Sequence, residues 1–108
     1  MKQYLDKQQT AKLIELGFEK PKNYHAIEWD GTEAYYQLDY SVGELIEMLP
    51  MNIDNDGRFE ELIIHPNYNR WVVKYSGFLR EPTYQICREE LVDALYNMVV
   101  GLKEEGVI

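Results

Sequence analysis

Three side chains with nucleophile, base or metal-ligand chemistry stand far apart in this sequence. Cys87 is the sole thiol, and the two histidines are His25 and His65. Together they are the candidates for a cysteine nucleophile with an imidazole base, or for a metal site. Metal sites that are visible in a sequence bring their ligands in close pairs, such as C-x-x-C or H-x3-H. His25, His65 and Cys87 lie 40 and 22 positions apart. A cysteine just ahead of a helix gains thiolate character from the helix N-terminus. A free cysteine is otherwise a small buried hydrophobe.

Carboxylates come in adjacent pairs: Glu60-Glu61, Glu89-Glu90 and Glu104-Glu105. Paired-carboxylate catalysis needs two such groups across a cleft, with their pKa values pushed apart. Neighbours in an acidic chain read instead as solvated faces, with Glu89-Glu90 in the first turn of a helix, where the dipole favours negative charge. Asn52, Asp54, Asp56 and Gly57 imitate the start of an EF-hand loop, but the twelfth position, which must be a bidentate glutamate, is Ile63. A polar turn is expected there. There is no glycine-rich phosphate loop, G-x-S-x-G elbow or zinc spacing. The chain therefore reads as non-enzymatic, with no cofactor and no metal. The alternative is a small enzyme or ligand binder with a cleft near His25, His65 and Cys87.

The elements that would position these groups are written in local signals. Asp6 and Gln9 have capping-box spacing, Leu13, Ile14 and Leu16 give an apolar side, and Gly17 with Phe18 makes a Schellman ending. A helix over 7–16 follows, and Pro21 blocks its continuation. Asp30-Gly31 is a type I′ hairpin signal. His25, Ile27 and Trp29 alternate on one side of it, and Ala34, Tyr36 and Leu38 on the other. In "YSVGELIEMLP", Ser41 and Glu44 form a second capping box, Val42, Leu45, Ile46 and Leu49 fall at helical spacing, and Pro50 marks the stop. Only Glu47 and Met48 have no structural task.

A second hairpin runs through "ELIIHPNYNRWVVKYSG", with Pro66-Asn67-Tyr68-Asn69 as its turn. Tyr84 to Ile86 suits a short edge strand, since Pro82 forbids a central one. The last helix spans about Arg88 to Glu105. Its core stripe is Leu91, Ala94, Leu95, Met98 and Leu102. A second stripe, Val92, Tyr96, Val99 and Val100, needs a second cover, either the first helix or a twin copy of the chain, so this stripe is the candidate for self-association as a homodimer. The order α-β-β-α-β-β-(β)-α describes an α+β domain over 1–108, an antiparallel sheet of two hairpins with four to five strands and three helices.

Charge narrows the partners. The 108 residues carry a net charge of -8, and residues 25–61 hold ten of the nineteen acidic residues against one arginine. Binding to a nucleic-acid backbone wants a basic face, so direct nucleic-acid binding is not expected. The many tyrosines resemble a base-stacking platform, but such platforms sit in a positive groove. An acidic surface with outward aromatics suits a protein partner. The outer face of the first hairpin, Glu28, Glu33, Tyr35, Gln37 and Asp39, is the candidate binding surface. A DNA mimic is a further reading of the same acidity. One cysteine allows no intrachain disulfide, "MKQYLDKQQT" has no signal-peptide core, and no apolar run approaches the roughly 20 residues of a membrane span. A soluble cytoplasmic protein is expected.

Three stretches, "YLDKQQTAKLIELGFEKP", "YSVGELIEMLP" and "ELVDALYNMVVGLKEEGVI", resemble small uncharacterised proteins encoded in bacterial prophages and mobile elements. The likeness covers most of the chain as a general pattern and carries no catalytic motif. It implies a cytoplasmic accessory protein, and it lends weight to an acidic module that occupies a host or phage protein.

Overall fold

The computed structural model describes residues 2–21, 24–29, 32–37, 39–55, 57–77 and 81–108, with the backbone alone at 24–29, 32–37 and 55. Helix α1 spans Lys7–Glu15, strands β1 and β2 span Tyr24–Trp29 and Thr32–Gln37, and helix α2 spans Val42–Met48. Four strands follow, β3 (Asn52–Asn55), β4 (Arg58–Asn67), β5 (Arg70–Ser76) and β6 (Tyr84–Arg88), before helix α3 (Leu91–Glu104).

The α+β architecture holds, with one difference in the sheet. β3-β4-β5-β6 form one antiparallel meander, and β1-β2 pair only with each other as a separate two-stranded sheet. The two expected hairpins therefore do not share a sheet. The additional strand comes from the segment expected to be a polar turn. Residues 52–55 pair with 58–61, Asn52 opposite Glu61 and Asn55 opposite Arg58. Gly57, at φ 78, supplies the left-handed residue that so tight a reversal requires. With Asn52 and Asp54 extended along a strand, the chain there does not wrap as a calcium loop does; Asp56 lies outside the described residues.

Both capping boxes form. The Asp6 carboxylate accepts from the Gln9 N–H at 2.8 Å, and the Gln9 side chain accepts from the Asp6 N–H at 3.0 Å. Ser41 and Glu44 do the same for α2. The Phe18 N–H reaches the Leu13 carbonyl and the Gly17 N–H that of Ile14, with Gly17 at φ 100, which is a Schellman ending. Helix α3 starts three residues later than expected, because 84–88 are taken up as the edge strand β6. Glu90 is its N-cap and makes no side-chain cap hydrogen bond.

The core lies between α3, α2 and one face of the meander. Val73 and Tyr75 of β5 are wholly buried with Leu95, Met98 and Leu102 of α3, and Leu62, Ile64, Trp71, Tyr84 and Ile86 pack against them. The second stripe of α3, expected to need a twin copy or the first helix as its cover, lies largely inside its own chain. Val92 and Val99 are 0% exposed within their own chain, and Tyr96 and Val100 pack partly buried against the same core. α3 has contacts with β5, β6 and α2, so both of its apolar sides are covered internally. Val92 and Val99 therefore offer a twin copy no surface, while Tyr96 and Val100 keep part of theirs. No helix among the described residues is long and apolar enough to cross a membrane.

Candidate functional site

Residues 3–5 run antiparallel to 40–42. The Leu5 N–H donates to the Tyr40 carbonyl at 3.0 Å and the Val42 N–H to the Gln3 carbonyl at 3.3 Å. This bridge fixes the start of α2 beside the start of α1. The Schellman turn then brings Phe18, Glu19 and Lys20 back toward α2. The Tyr40 hydroxyl closes the junction by donating to the Glu19 carbonyl.

Between these segments lies a groove of about 190 Å³ lined by Phe18, Glu19, Lys20, Tyr40, Glu44, Glu47 and Met48. Glu44, Glu47 and Met48 share one face of α2, being three and four positions apart. The floor is aromatic and thioether, and the rim holds three carboxylates against one lysine. Burial pushes the Tyr40 hydroxyl above its ordinary pKa, and the negative charges of Glu44 and Glu19 raise it further. Carboxylates thus outnumber the lysine among the lining residues of the groove. Lys103 lies 5.4 Å from the centre of the Phe18 ring, on which its ammonium stacks.

The candidates expected from residue type and spacing fall elsewhere, or are not assembled. His65 on β4 is opposite Val72 on β5, and Val72 is opposite Cys87 on β6. His65 and Cys87 are therefore two strand spacings apart, roughly 10 Å between backbones, with a valine between them. This is too far for a direct proton transfer. Cys87 lies within strand β6 instead of leading directly into a helix, and it lines a shallow depression with Arg70, Arg88, Glu89, Glu90 and Asp93. His65 Nδ1 lies 2.9 Å from the carbonyl oxygen of the next residue, Pro66. The side chain of His25 lies outside the described residues. Among the described residues, no three His, Cys, Asp or Glu side chains gather as metal ligands would.

The expected acidic surface is described in backbone only. β1 and β2 pair Glu28 with Glu33, Ala26 with Tyr35 and Tyr24 with Gln37, which places Glu28, Glu33, Tyr35 and Gln37 at positions of one face. The Asp30-Gly31 turn and Leu38 lie outside the described residues. Asp39 is half-buried.

Two features have no clear signal in the residue pattern. Glu60 is 1% exposed on the core face of β4. One of its oxygens accepts from the Thr83 hydroxyl at 2.5 Å, and the other has no hydrogen-bond partner among the described residues. The groove is the second; Glu47 and Met48, to which the residue pattern assigns no structural task, both line it, and Met48 also packs partly buried against the core.

No protein-family model, curated protein or solved structure matches this chain.

Proposed function

We propose that the chain is a non-enzymatic protein-interaction module that offers the α1–α2 groove to a positively charged segment of a partner. The observation that carries this reading is the pairing of an apolar floor, Phe18, Tyr40 and Met48, with a rim of Glu19, Glu44 and Glu47. An apolar recess gives an anchor its affinity, and flanking carboxylates select a basic neighbour and steer its approach. The chain's net charge of -8 adds long-range attraction for such partners.

The test is a calorimetric titration with a capped heptapeptide of alternating arginine and leucine, beside a copy with glutamate in place of each arginine. Saturable binding of the first peptide only is expected, with amide shifts centred on Phe18, Tyr40 and Met48. Glu47 is exposed, so Glu47→Arg leaves the fold intact and should weaken binding at least about fivefold, a loss typical of one charge pair at a rim. Equal binding of both peptides, or none of either, would sink the reading.

A further inference from the structure

The β4–β5 turn carries a feature that the fold does not need. Asn67 pairs with Arg70, so the turn consists of Tyr68 and Asn69, tighter at its start than the turn expected over 66–69. Tyr68 takes φ 57, and it is the sole positive-φ residue other than glycine among those described. A bulky side chain there is strained, and glycine or asparagine is the ordinary solution. The Tyr68 ring is also 100% exposed, so no burial offsets the strain. A strained and fully solvated tyrosine at a hairpin tip has its use in a contact outside its own fold. Beside it stands the exposed Arg70. Tyrosine and arginine are the residues that most often anchor protein interfaces.

Such an anchor fits an apolar recess rimmed by carboxylates. We propose that the tip of one copy inserts Tyr68 into the α1–α2 groove of a second copy, with Arg70 facing Glu47. The proposal rests on the groove reading above and names its partner as the same chain. The groove, at about 190 Å³, has the scale of one aromatic side chain. The excess of carboxylates at its rim complements the one charge of the tip, Arg70. Tip and groove are different surfaces, so the contact is heterologous. It leaves one free tip and one free groove, and assembly continues into open chains or rings. One side chain and its flanks bury less than a standard interface, so association belongs to the high micromolar range and above.

Sedimentation velocity over a concentration series tests this with the wild type, Tyr68→Gly and Glu47→Arg. The wild type is expected to pass beyond dimer as concentration rises. Each variant alone stays monomeric. Their equimolar mixture forms dimers and nothing larger, because it contains one working tip and one working groove. Tyr68→Gly also relieves strain, so its Tm should rise by about 5 °C, which separates lost association from lost folding. A wild type that is monomeric throughout, a Tyr68→Gly variant that associates like the wild type, or a mixture that stays monomeric would each overturn the proposal. If the arginine peptide still binds the groove in those cases, the tip proposal falls and the groove reading stands.

Discussion

Val72 and Val73 are adjacent on β5 and almost equally hidden, 4% and 0% exposed, yet they belong to different environments. Val73 points into the core beneath α3. Val72 lies on the opposite face of the meander, in a row with His65 and Cys87, and is not part of the core cluster. One valine is enclosed by packed apolar side chains. The other is screened from water in a row with an imidazole and a thiol. Burial by area is thus not the same as burial in a core, because only close packing on all sides supplies the dispersion contacts that make a lost methyl expensive.

The largest test of that difference is a pair of truncations. Val73→Ala should cost about 2–3 kcal/mol of unfolding free energy and Val72→Ala about 1 kcal/mol, measured by urea denaturation. Equal costs would mean that both faces are packed alike. Next in size is an alkaline effect on the core face. Burial raises the Tyr75 hydroxyl from 10.0 to about 12, and it donates to the Pro50 carbonyl at 2.7 Å. The unfolded chain therefore loses this proton first. Tyr75 contributes its stability in full below pH 10 and loses it as pH rises from there toward 12, at up to about 1.4 kcal/mol per pH unit. Tyr75→Phe should flatten that part of the stability profile while costing about 1 kcal/mol at neutral pH for the lost hydrogen bond. A profile unchanged by the substitution would place the ring in contact with water.

A smaller effect should come from Glu60. It shares the core face with Leu62 and Ile64, and one carboxylate oxygen has no hydrogen-bond partner among the described residues. Replacing a half-satisfied buried carboxylate by an apolar side chain of similar size is often stabilising. Glu60→Leu is expected to raise the urea midpoint, by about 1 kcal/mol in free energy. Destabilisation would show that this carboxylate has a favourable role on the core face. The mildest test is labelling. Cys87 is half-buried on the open face, so a thiol reagent should modify it in the native protein at a rate that urea barely changes before unfolding. A cysteine introduced by Val73→Cys should react only as the chain unfolds.

The same contrast explains what is legible in the residues alone. Two capping boxes and the Schellman ending are set by residues three to five positions apart, so Asp6 with Gln9, Ser41 with Glu44, and Gly17 with Phe18 announce themselves. β3 does not, because a polar tetrapeptide becomes a strand only when an edge such as Arg58–Glu61 is present to pair with it. The start of α3 is misleading for a similar reason: Cys87 and Arg88 suit a helix locally but are claimed by the ladder to β5. The cover for Val92 and Val99 comes from core residues far away in sequence, which no helical periodicity contains. The groove joins residues 18–20 to 40–48 through a hydroxyl–carbonyl contact, and only Glu47 and Met48, to which helical spacing assigns no task, hint at it.

Lys2 ties the beginning of the domain to its last helix. Its backbone N–H donates to Glu90 at 2.8 Å, and its ammonium meets Asp93 at 3.0 Å, where the Gln9 amide also donates. Burial alone would raise the Asp93 carboxyl, but the Gln9 and Lys2 hydrogen bonds, with the charges of Lys2 and Arg88, hold it below its ordinary value. These contacts span 88 and 91 positions of sequence. During synthesis residues 3–5 can pair with 40–42 early, but Lys2 has neither Glu90 nor Asp93 to meet until almost ninety more residues have been added. The contacts of Lys2 and Gln9 with Asp93 must wait for α3 to arrive. Closure of the domain is a late event that brings distant parts of the chain together, and the chain is most prone to self-aggregation just before it.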